Sequence, residues 1–498
     1  MSTTEENEGL SASQQVAKKL RLESTLAIVE RKTHPITNSE RDTAQLSVAV
    51  IGGGLGGLAC ALALQKLCHV KKVVVYERDS YFGDRKQGYG LTLTNNPKGA
   101  LAKLGLLEAC VQRDCASTCH WVFGPSGKVL GYYGRDFSGT EGQGDGQRGN
   151  LRIPRQDLRQ LLIDKLQPGT VQWGRKLTDY EEDEAGVTLR FEGGLAGGAE
   201  EESAHFDVVV ASDGIRSSVR LLRDARMKVH NSMRYVGVAV ILGISFADHA
   251  LVRRQGFYVL DGEHRLFTMP FREPSGGAVR ETMWQLSFSG LSEGEAMALR
   301  AMSGAQLLAE AARRTLGWLE PVAALIAQTP EAEVWGTPLY DREPMVLARE
   351  RHHSSRVTCL GDACHPMSMF KGQGANQALE DGPLLAHWLA GGPTKVKKHS
   401  SEWADGYRAP PLCRDALLTR LRCFEREMIS RTTPKVQASR AAADLLHSVK
   451  ALEEKFGFEG VGADQVPALL ARLESSCVGA ANGGGLVQAV KALLTRPF

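Results

Sequence analysis

The pattern of apolar positions first predicts a parallel α/β unit near the N-terminal end of the chain. Four consecutive apolar residues, Val48–Ile51, are typical of a buried strand, and they run directly into a glycine turn and a helical pattern. A second apolar run, Val73–Tyr76, follows that helix. A strand, a helix and a second strand in this order predict the beginning of a doubly wound sheet.

Three later apolar runs are predicted as further strands: Val187–Phe191, Phe206–Ala211 and Val357–Leu360. Ahead of them, Pro154 and Arg155 open a helix with leucines along one face, since proline suits a helix N-terminus. The strand that ends at Leu360 lies far along the chain, so the α/β part is expected to be interrupted.

The interruption of the α/β part is predicted from a change in the pattern of apolar and polar residues between about 225 and 335, where short apolar runs alternate with turns. The runs are Tyr235–Leu242, Phe257–Leu260, Arg265–Met269 and Thr282–Ser289. A helical stretch follows around 304–318. The pattern predicts a separate, mainly antiparallel sheet with helices, which would hold the variable half of a substrate site.

These patterns divide the chain into five segments. They are a polar N-terminal tail (1–46), the first part of the α/β domain (47–224), the inserted sheet domain (225–335), the second part of the α/β domain (336–394) and a helical C-terminal region (395–498). In the last region, Ala438, Ala442, Leu445, Val449, Leu452 and Phe456 recur at helical spacing. Because the repeat is short and rich in alanine, it favours a helix packed on the main domain over a partner zipper.

Composition excludes several classes of protein. A net charge of +3 with mixed acids and bases does not indicate a nucleic-acid partner. The ten cysteines form no Cys-x-x-Cys pair and no zinc-site spacing, so free thiols and no metal are expected. The longest apolar run, 235–247, is shorter than the roughly 20 residues of a membrane span. Acidic residues near the start argue against a transit peptide, which favours the cytoplasm.

The first candidate site is the glycine turn itself. Gly52, Gly54 and Gly57 have G-x-G-x-x-G spacing, in which the glycines allow a tight turn, approach of a pyrophosphate and close helix–strand packing. Glu77 follows twenty residues after Gly57, at the end of the second strand, where an acid that binds a ribose hydroxyl is expected.

Three further positions each leave two interpretations open. Arg85, in a glycine-containing loop, could reach phosphates or be a solvated surface residue. Arg155 lies at the helix end that disfavours a cation, so it either shares an anion with the site or is a plain surface residue. Asp213-Gly214 is either a phosphate-side loop or a turn with a helix cap.

The most specific element is 361–376, which follows the strand ending at Leu360. Asp362 at the strand end can accept from a ribityl or ribose hydroxyl, and the Gly372-Gln373-Gly374 turn opens a helix whose N–H groups face something electron-rich. His365 in this loop is interpreted as a structural histidine rather than a catalytic one, and Cys364 as a packing residue rather than a nucleophile.

Taken in order, these elements resemble the single-component FAD-dependent aromatic hydroxylases, the class A flavoprotein monooxygenases. The resemblance covers roughly residues 47–390. It implies a Rossmann-like, three-layer FAD-binding domain with an inserted, mainly antiparallel substrate domain and a helical C-terminal extension. The oligomeric state is left open.

The resemblance also implies a role for each site residue. Gly52, Gly54 and Gly57 would pass the FAD pyrophosphate, Glu77 would take the adenosine ribose, Arg78 would stack near the adenine, and Arg155 would lie along the FAD. Arg85 would approach the pyrophosphate or the nicotinamide cofactor, Asp213 and Gly214 would lie in the groove for both cofactors, and Asp362 would bind the ribityl or pyrophosphate portion. Gly372, Gly374, Ala375 and Asn376 would place a helix N-terminus near the flavin pyrimidine ring.

The implied activity is a monooxygenase that uses NADPH or NADH and O2 to insert one oxygen atom into a small aromatic or polycyclic substrate through a flavin hydroperoxide. Two alternatives remain: a reductase or halogenase on the same scaffold, and a non-catalytic FAD-binding protein. Relatives usually carry proline at the position of Met369, which puts the geometry of the flavin-face loop in question.

The pattern does not identify a catalytic acid or base, and the implied chemistry does not require one. Tyr258, Trp284, Phe288 and Phe370 could line an apolar substrate pocket or belong to the core. The sequence does not name the substrate.

Overall fold

A computed structural model of the chain describes residues 43, 45–84, 88–117, 119–134, 149–192, 202–272, 280–344, 355–392 and 414–453. Arg85, nearly all of the N-terminal tail and everything after residue 453 lie outside the described residues.

The described strands, in chain order, are β1 (Ser47–Ile51), β2 (Lys72–Tyr76), β3 (Gly90–Thr94), β4 (Cys119–Phe123), β5 (Val129–Gly134), β6 (Asn150–Pro154), β7 (Val171–Gln172), β8 (Leu177–Glu182), β9 (Val187–Phe191), β10 (Glu202–Phe206), β11 (Val208–Ala211), β12 (Arg234–Ser245), β13 (Gln255–Leu260), β14 (His264–Arg272), β15 (Glu281–Ser289), β16 (Val334–Asp341) and β17 (Val357–Cys359).

The described helices are α1 (Leu55–Leu67), α2 (Ala100–Leu104), α3 (Leu107–Gln112), α4 (Arg155–Asp164), α5 (Ser218–Arg226), α6 (Glu293–Ala298), α7 (Gly304–Arg314), α8 (Val322–Ala327), α9 (Gly374–Leu389), α10 (Arg414–Leu446) and α11 (Lys450–Glu453).

A five-stranded parallel sheet in the order β17-β11-β1-β2-β7 carries the predicted α/β unit. Strand β1 pairs with β2 on one side and with β11 on the other, both in parallel. Its central residues Val48, Ala49 and Val50 are fully buried, because α1 packs on one face of the sheet and the strands β8, β9 and β10 cover the other, where the rings of Tyr76 and Phe191 lie 4.4 Å apart. The predicted α/β fold is confirmed, and the carboxyl ends of β1, β11 and β17 meet at one edge.

The predicted strand 206–211 is wrong in one respect, because it is two strands in two sheets. Strand β10 pairs antiparallel with β9, whereas β11 pairs in parallel with β1 and β17. Asp207 separates them: its carboxylate accepts the N–H and the hydroxyl of Ser47, both at 2.8 Å. The sequence did not reveal the break between the two strands, because apolar residues that are buried lie on both sides of Asp207.

The second large sheet has seven strands in the order β16-β12-β15-β14-β13-β4-β5. It is mainly antiparallel, as predicted, but it extends beyond the expected range of 225–335. Strands β4 and β5 come from the first part of the chain, and β4 joins β13 in parallel. Buried aromatic contacts explain this attachment, since the rings of Phe123 and Phe257 lie 6.2 Å apart. The domain boundaries themselves stay a prediction.

Helix α10 crosses from the α/β part to the seven-stranded sheet. Near its start, Glu425 accepts hydrogen bonds from Arg223 and Thr358, both at 2.8 Å. Near its end, Ala443 and Leu446 pack in a cluster with residues of that sheet. The predicted helical repeat is wrong at Val449, which is 66% exposed after the helix ends at Leu446; Leu452 lies in the separate helix α11, and Phe456 lies outside the described residues.

Candidate functional site: a cofactor cavity

A cavity of about 850 Å³ lies where the glycine turn, the start of α9 and the seven-stranded sheet meet. Most of the predicted site residues line it: Gly52, Gly54, Glu77, Arg78, Arg155, Asp213, Gly214, Asp362, Gly372, Gly374, Ala375 and Asn376. Gly57 does not line the cavity, and Arg85 lies outside the described residues. The structure therefore brings together elements that are more than three hundred residues apart in sequence.

The three glycines of the turn have three different surroundings. Gly52 has φ +108°, and a Cβ there would lie 2.4 Å from the Ser212 carbonyl oxygen at the end of β11. A Cβ on Gly57 would lie 2.0 Å from the Gly52 carbonyl oxygen, so only glycine lets α1 pack on the turn. A Cβ on Gly54 would meet only Arg155, at 3.9 Å. Gly54 thus leaves open the space at the start of α1 where a diphosphate would approach.

Two buried charged side chains hold this turn in place. Glu77 accepts the Gly53 N–H at Oε2 (2.7 Å) and the Asp79 N–H at Oε1 (3.0 Å). From the other side, Nε of Arg159 donates to the Gly53 carbonyl oxygen at 2.8 Å. Glu77 therefore shapes the turn as well as lining the cavity.

Asp213 faces the cavity at the end of β11. Its Oδ2 atom accepts the N–H of Ser218 at 2.8 Å, at the start of α5. Its Oδ1 atom is buried and has no hydrogen-bond partner among the described residues. A buried carboxylate oxygen without a donor is costly, so this atom is suited to a hydroxyl or amide group of a ligand.

Arg220 joins the Asp213-Gly214 turn to the Gly361–Asp362 turn. It is fully buried in α5, and its Nη1 atom donates to the carbonyl oxygens of Ala363 (2.8 Å) and Cys364 (2.9 Å). The two loops that sequence alone treated as separate candidates are therefore held in one arrangement.

Asp362 opens onto the cavity, and its side chain is exposed there although protein surrounds it on the other sides. Burial raises the pKa of Asp362, and the charges of His365 and Arg155 only partly offset that effect. A carboxyl group in this position can accept from ligand hydroxyls.

His365 is fully buried next to this turn. Its Nε2 atom bonds to Asp381 Oδ2 at 2.8 Å, and Nδ1 has no hydrogen-bond partner among the described residues. His365 does not line the cavity. The interpretation of His365 as a structural residue agrees with this geometry.

The start of α9 is tied to the α/β part by Asn376. Its Oδ1 atom accepts the Thr94 N–H and its Nδ2 atom donates to the Thr92 carbonyl oxygen, both at 2.9 Å. Asn376 thereby fixes the first turn of α9 against β3, with the helix N-terminus at the cavity. The free N–H groups and the dipole of that end favour negative charge.

The flavin-face loop is ordered although it carries Met369. Met369–Lys371 form a short 3-10 turn after Ser368. The Ser368 hydroxyl donates to the Ser439 carbonyl oxygen at 2.9 Å, and the Ser439 hydroxyl donates to the Ser368 carbonyl oxygen at 2.6 Å. The reciprocal pair anchors the loop to α10.

Cations predominate on the cavity wall. Against the carboxylates Glu77, Asp213 and Asp362 stand Arg78, Arg152, Arg155, Arg175, Lys176, Arg216, Arg265 and Lys371. A wall of this charge suits a ligand with phosphate groups. Together with the open Gly54 and the unpaired Asp213 oxygen, it fits FAD.

The end of the cavity formed by the seven-stranded sheet is largely apolar. Tyr258, Phe267, Met269, Met283, Trp335 and Phe370 line it, with one buried cation among the lining residues there, Arg265. The Arg265 guanidinium lies about 5 Å from the rings of Tyr258, Phe267 and Phe370. Trp284 and Phe288 do not line the cavity and belong to the core of the sheet, whereas Tyr258 and Phe370 do line it.

Sequence reasoning missed the buried arginines that organise this site. Arg159, Arg220 and Arg265 are at most 3% exposed. For Arg265 a weak signal existed, because it is a charged residue at the start of a predicted strand. For Arg159 and Arg220 no sequence signal distinguishes them from exposed helical arginines.

Comparison of the sequence with known protein families agrees with a cofactor site of this kind. A family profile described as "FAD binding domain" matches residues 45–297 and 327–395. The chain belongs to this family. Curated relatives are monooxygenases: the 3-amino-4-hydroxybenzoate 2-monooxygenase of Streptomyces platensis is 31% identical over 360 residues, covering 69% of this chain and 79% of that protein. The salicylate hydroxylase of Pseudomonas putida is 26% identical over 396 residues, covering 74% and 83%.

Solved structures share the fold. HpxO of Klebsiella pneumoniae, complexed with FAD and uric acid, has a TM-score of 0.62 at 22% identity, covering 90% of this chain and 97% of that one. A salicylate hydroxylase substrate complex has a TM-score of 0.59 at 22% identity, covering 91% and 99%.

The protein is a FAD-dependent monooxygenase of the class A, aromatic-hydroxylase type, with NAD(P)H as the electron donor typical of this class. This assignment supersedes the reductase, halogenase and non-catalytic alternatives. In the described part of the chain, no helix has the length and apolar character of a membrane span, and no cluster of side chains could hold a metal ion.

Proposed function

We propose that this monooxygenase hydroxylates a small, planar aromatic anion, and that Arg265 faces the negative group of the substrate. The observation that carries the proposal is the position of Arg265: a permanently charged side chain, 3% exposed, on the wall of an otherwise apolar pocket.

The surroundings of Arg265 suit an aromatic anion in two ways. The rings of Tyr258, Phe267 and Phe370 offer flat apolar surface to an aromatic substrate. A guanidinium can bind a carboxylate through two parallel hydrogen bonds, and such a bond is strong in an apolar pocket.

The names of relatives point in the same direction. The relatives from Streptomyces platensis and Pseudomonas putida are named for 3-amino-4-hydroxybenzoate and salicylate, and a relative from Bordetella bronchiseptica, 27% identical over 362 residues (68% of this chain and 81% of that protein), is named for 6-hydroxynicotinate. All three are aromatic carboxylates.

When bound, FAD would supply the acceptor for a hydride from NAD(P)H and the centre that activates O2. In the proposed arrangement Gly52, Gly54 and the start of α1 hold the diphosphate, with Gly57 packing behind them. Glu77 and Arg78 face the adenosine side, and Arg155 lies along the cofactor. Asp362 accepts from ribityl hydroxyls, and the Gly372–Asn376 segment presents the N-terminus of α9 to the pyrimidine ring. Asp213 and Gly214 border a groove for the nicotinamide cofactor.

The substrate proposal is tested with matched substrates. Hydroxybenzoates and the corresponding hydroxybenzamides differ in charge but little in shape. For the native protein we expect NAD(P)H oxidation to be stimulated by carboxylates and not by carboxamides, and Arg265→Gln to reduce kcat/KM for carboxylates by about a hundredfold, as for a lost charged hydrogen-bond pair. Equal stimulation by both series, or an unchanged kcat/KM in Arg265→Gln, would refute it.

The cofactor arrangement has its own test. Asp362→Ala removes the carboxylate from the cavity wall without filling space, so we expect the purified variant to retain little FAD. Full flavin occupancy in this variant would contradict the proposed orientation.

We also propose a cytoplasmic location. No disulfide joins the cysteines of the described part of the chain to one another, as is usual in a reducing compartment. Fractionation of the producing cells would test this location directly.

A further inference from the structure

Asp381 of α9 is a fully buried carboxylate that joins three parts of the protein. Its Oδ2 atom accepts the N–H of Gly361 and the Nε2–H of His365, both at 2.8 Å. Its Oδ1 atom accepts Nη2 of Arg431, which belongs to α10. One side chain therefore connects the turn that carries Asp362, the loop after it and the C-terminal helix.

We propose that Arg431 is a positioning residue for the FAD site, which acts through Asp381 on the direction of Asp362. The inference rests on the membership of the FAD-binding family and not on the substrate proposed above. It is not part of the family's own pattern, because the matched region ends at residue 395 and Arg431 lies beyond it.

The ionisation of the Asp381 carboxyl group depends on the groups that surround it. Burial acts to raise the pKa of Asp381, but His365, Arg431 and the Gly361 N–H together hold it below the usual range. Asp381 is therefore ionised and can accept at both oxygens. Without the Arg431 cation, the buried carboxylate would keep only the Gly361 N–H and His365 as partners, which is a costly state.

Asp381 is connected to the cavity through the backbone of Gly361. Gly361 has φ +57°, so the turn needs an unusual backbone conformation, and its N–H is bonded to Asp381. Asp362 is the next residue and faces the cavity. A weaker bond at Gly361 loosens the backbone that directs the Asp362 carboxylate.

Arg431 also contacts the N-terminal turn of α9. Nη1 of Arg431 also donates to Oε1 of Gln377 at 2.6 Å, in the first turn of α9. Arg431 thus restrains α9 at two points, one turn apart, next to the Gly374–Asn376 segment on the cavity wall. Both effects act on FAD and neither on the apolar end of the cavity.

The test measures the FAD dissociation constant of the full-length protein by equilibrium dialysis. We expect Arg431→Gln to weaken FAD binding by about tenfold, because a charge-assisted hydrogen bond is lost, and Arg431→Lys to recover part of this loss. The control is Arg440→Gln on the same helix, whose partners Asp341 and Glu343 lie away from the cavity turn. We expect this control to change FAD affinity by less than about twofold.

A double-mutant cycle decides whether Arg431 acts through Asp381. If it does, the two losses of FAD affinity are not additive: Arg431→Gln weakens FAD binding less in the Asp381→Asn background than in the native protein, and the loss that remains there comes from the Gln377 contact. Independent, multiplying effects would overturn the proposal, and so would wild-type FAD affinity in Arg431→Gln or an equal loss in Arg440→Gln. If Arg431→Gln does not fold, the single variants Arg431→Lys and Asp381→Asn are compared instead. Wild-type FAD affinity in both of them would overturn the proposal.

A purely structural role gives a different result. In that case the unfolding midpoint of the FAD-free protein would fall in parallel with FAD affinity in both arginine variants. The positioning role predicts similar midpoints for Arg431→Gln and Arg440→Gln, with a loss of FAD affinity only in the first. Since no substrate is used, failure here is distinguishable from failure of the substrate proposal.

Discussion

Glu77 Oε2 accepts the backbone N–H of Gly53 at 2.7 Å, so the acid at the end of β2 shapes the glycine turn at the end of β1. Its other oxygen accepts the Asp79 N–H at 3.0 Å. A carboxylate can accept at both oxygens, whereas an amide presents N–H groups at one of them. Glu77 is therefore part of the fold as well as of the cavity wall.

Replacing Glu77 should thus affect the protein even without FAD. We expect Glu77→Gln to leave one of the two N–H groups unpaired and to lower the free energy of unfolding of the FAD-free protein by about 1–3 kcal/mol. Urea denaturation measures this change. Wild-type stability of the FAD-free variant, with only FAD affinity reduced, would limit Glu77 to ligand binding.

Gly54 and Gly57 offer a matched pair of substitutions that separates cofactor binding from folding. A Cβ on Gly57 would lie 2.0 Å from the Gly52 carbonyl oxygen, so Gly57→Ala is expected to cost more than about 3 kcal/mol of stability. A Cβ on Gly54 would have only Arg155 at 3.9 Å, and the backbone φ of −78° is ordinary for alanine.

We therefore expect Gly54→Ala to fold with nearly wild-type stability but to bind FAD much more weakly, because its methyl group occupies the diphosphate approach. Thermal unfolding of the FAD-free proteins and FAD titration measure the two effects separately. The account fails if Gly54→Ala binds FAD normally, or if Gly57→Ala is as stable as the native protein.

The loop that contains Met369 should accept a proline at that position. Met369 is the first residue of a 3-10 turn, and Ser368 before it has φ −64° and ψ 158°, a conformation that proline allows in its preceding residue. We expect Met369→Pro to raise the free energy of unfolding by about 0.4–1 kcal/mol, because proline restricts the unfolded chain. Chemical denaturation measures this gain, and a loss of stability would show that the turn depends on methionine.

A buried histidine gives the protein a specific pH dependence. Burial, together with the charge of Arg265, lowers the pKa of His447 to about 4. Between pH 4 and about 6.5 the unfolded chain binds a proton at this histidine that the folded protein excludes. The contribution to stability is therefore complete above about pH 6.5 and is lost as the pH falls, by about 1.4 kcal/mol per pH unit.

The control is His447→Asn, whose amide replaces the Nδ1–H that bonds to the Ala443 carbonyl oxygen. Between pH 7 and pH 5 we expect the native protein to lose about 2 kcal/mol more stability than this variant. Parallel stability curves for the two proteins would show that His447 titrates normally in the folded state.

Local pattern was sufficient for the elements that first suggested the family. Each of these elements lies within a short stretch of sequence, so the spacing of its residues is enough to recognise it. They are the apolar run before Gly52, the acid at the end of β2 and the Gly361–Asn376 segment. Asp213 and Arg155 were ambiguous from sequence because their significance depends on what lies opposite, and the structure places both on the cavity wall.

Long-range partners could not be predicted. Arg220 bonds to the Ala363 carbonyl oxygen 143 residues away, and the side chain of an arginine in an amphipathic helix has the same sequence signature whether it is buried or exposed. Strands β4 and β5 joined a distant sheet for the same reason, since pairing across more than a hundred residues leaves no local pattern.

The most direct test of the account is the fate of molecular oxygen. The purified yellow protein is incubated with NADPH or NADH, a hydroxybenzoate that stimulates cofactor oxidation, and oxygen-18-labelled O2. The account predicts a hydroxylated product that carries one labelled oxygen atom for each molecule of cofactor oxidised. A colourless protein that cannot be loaded with FAD, or a product whose new oxygen comes from water, would contradict it.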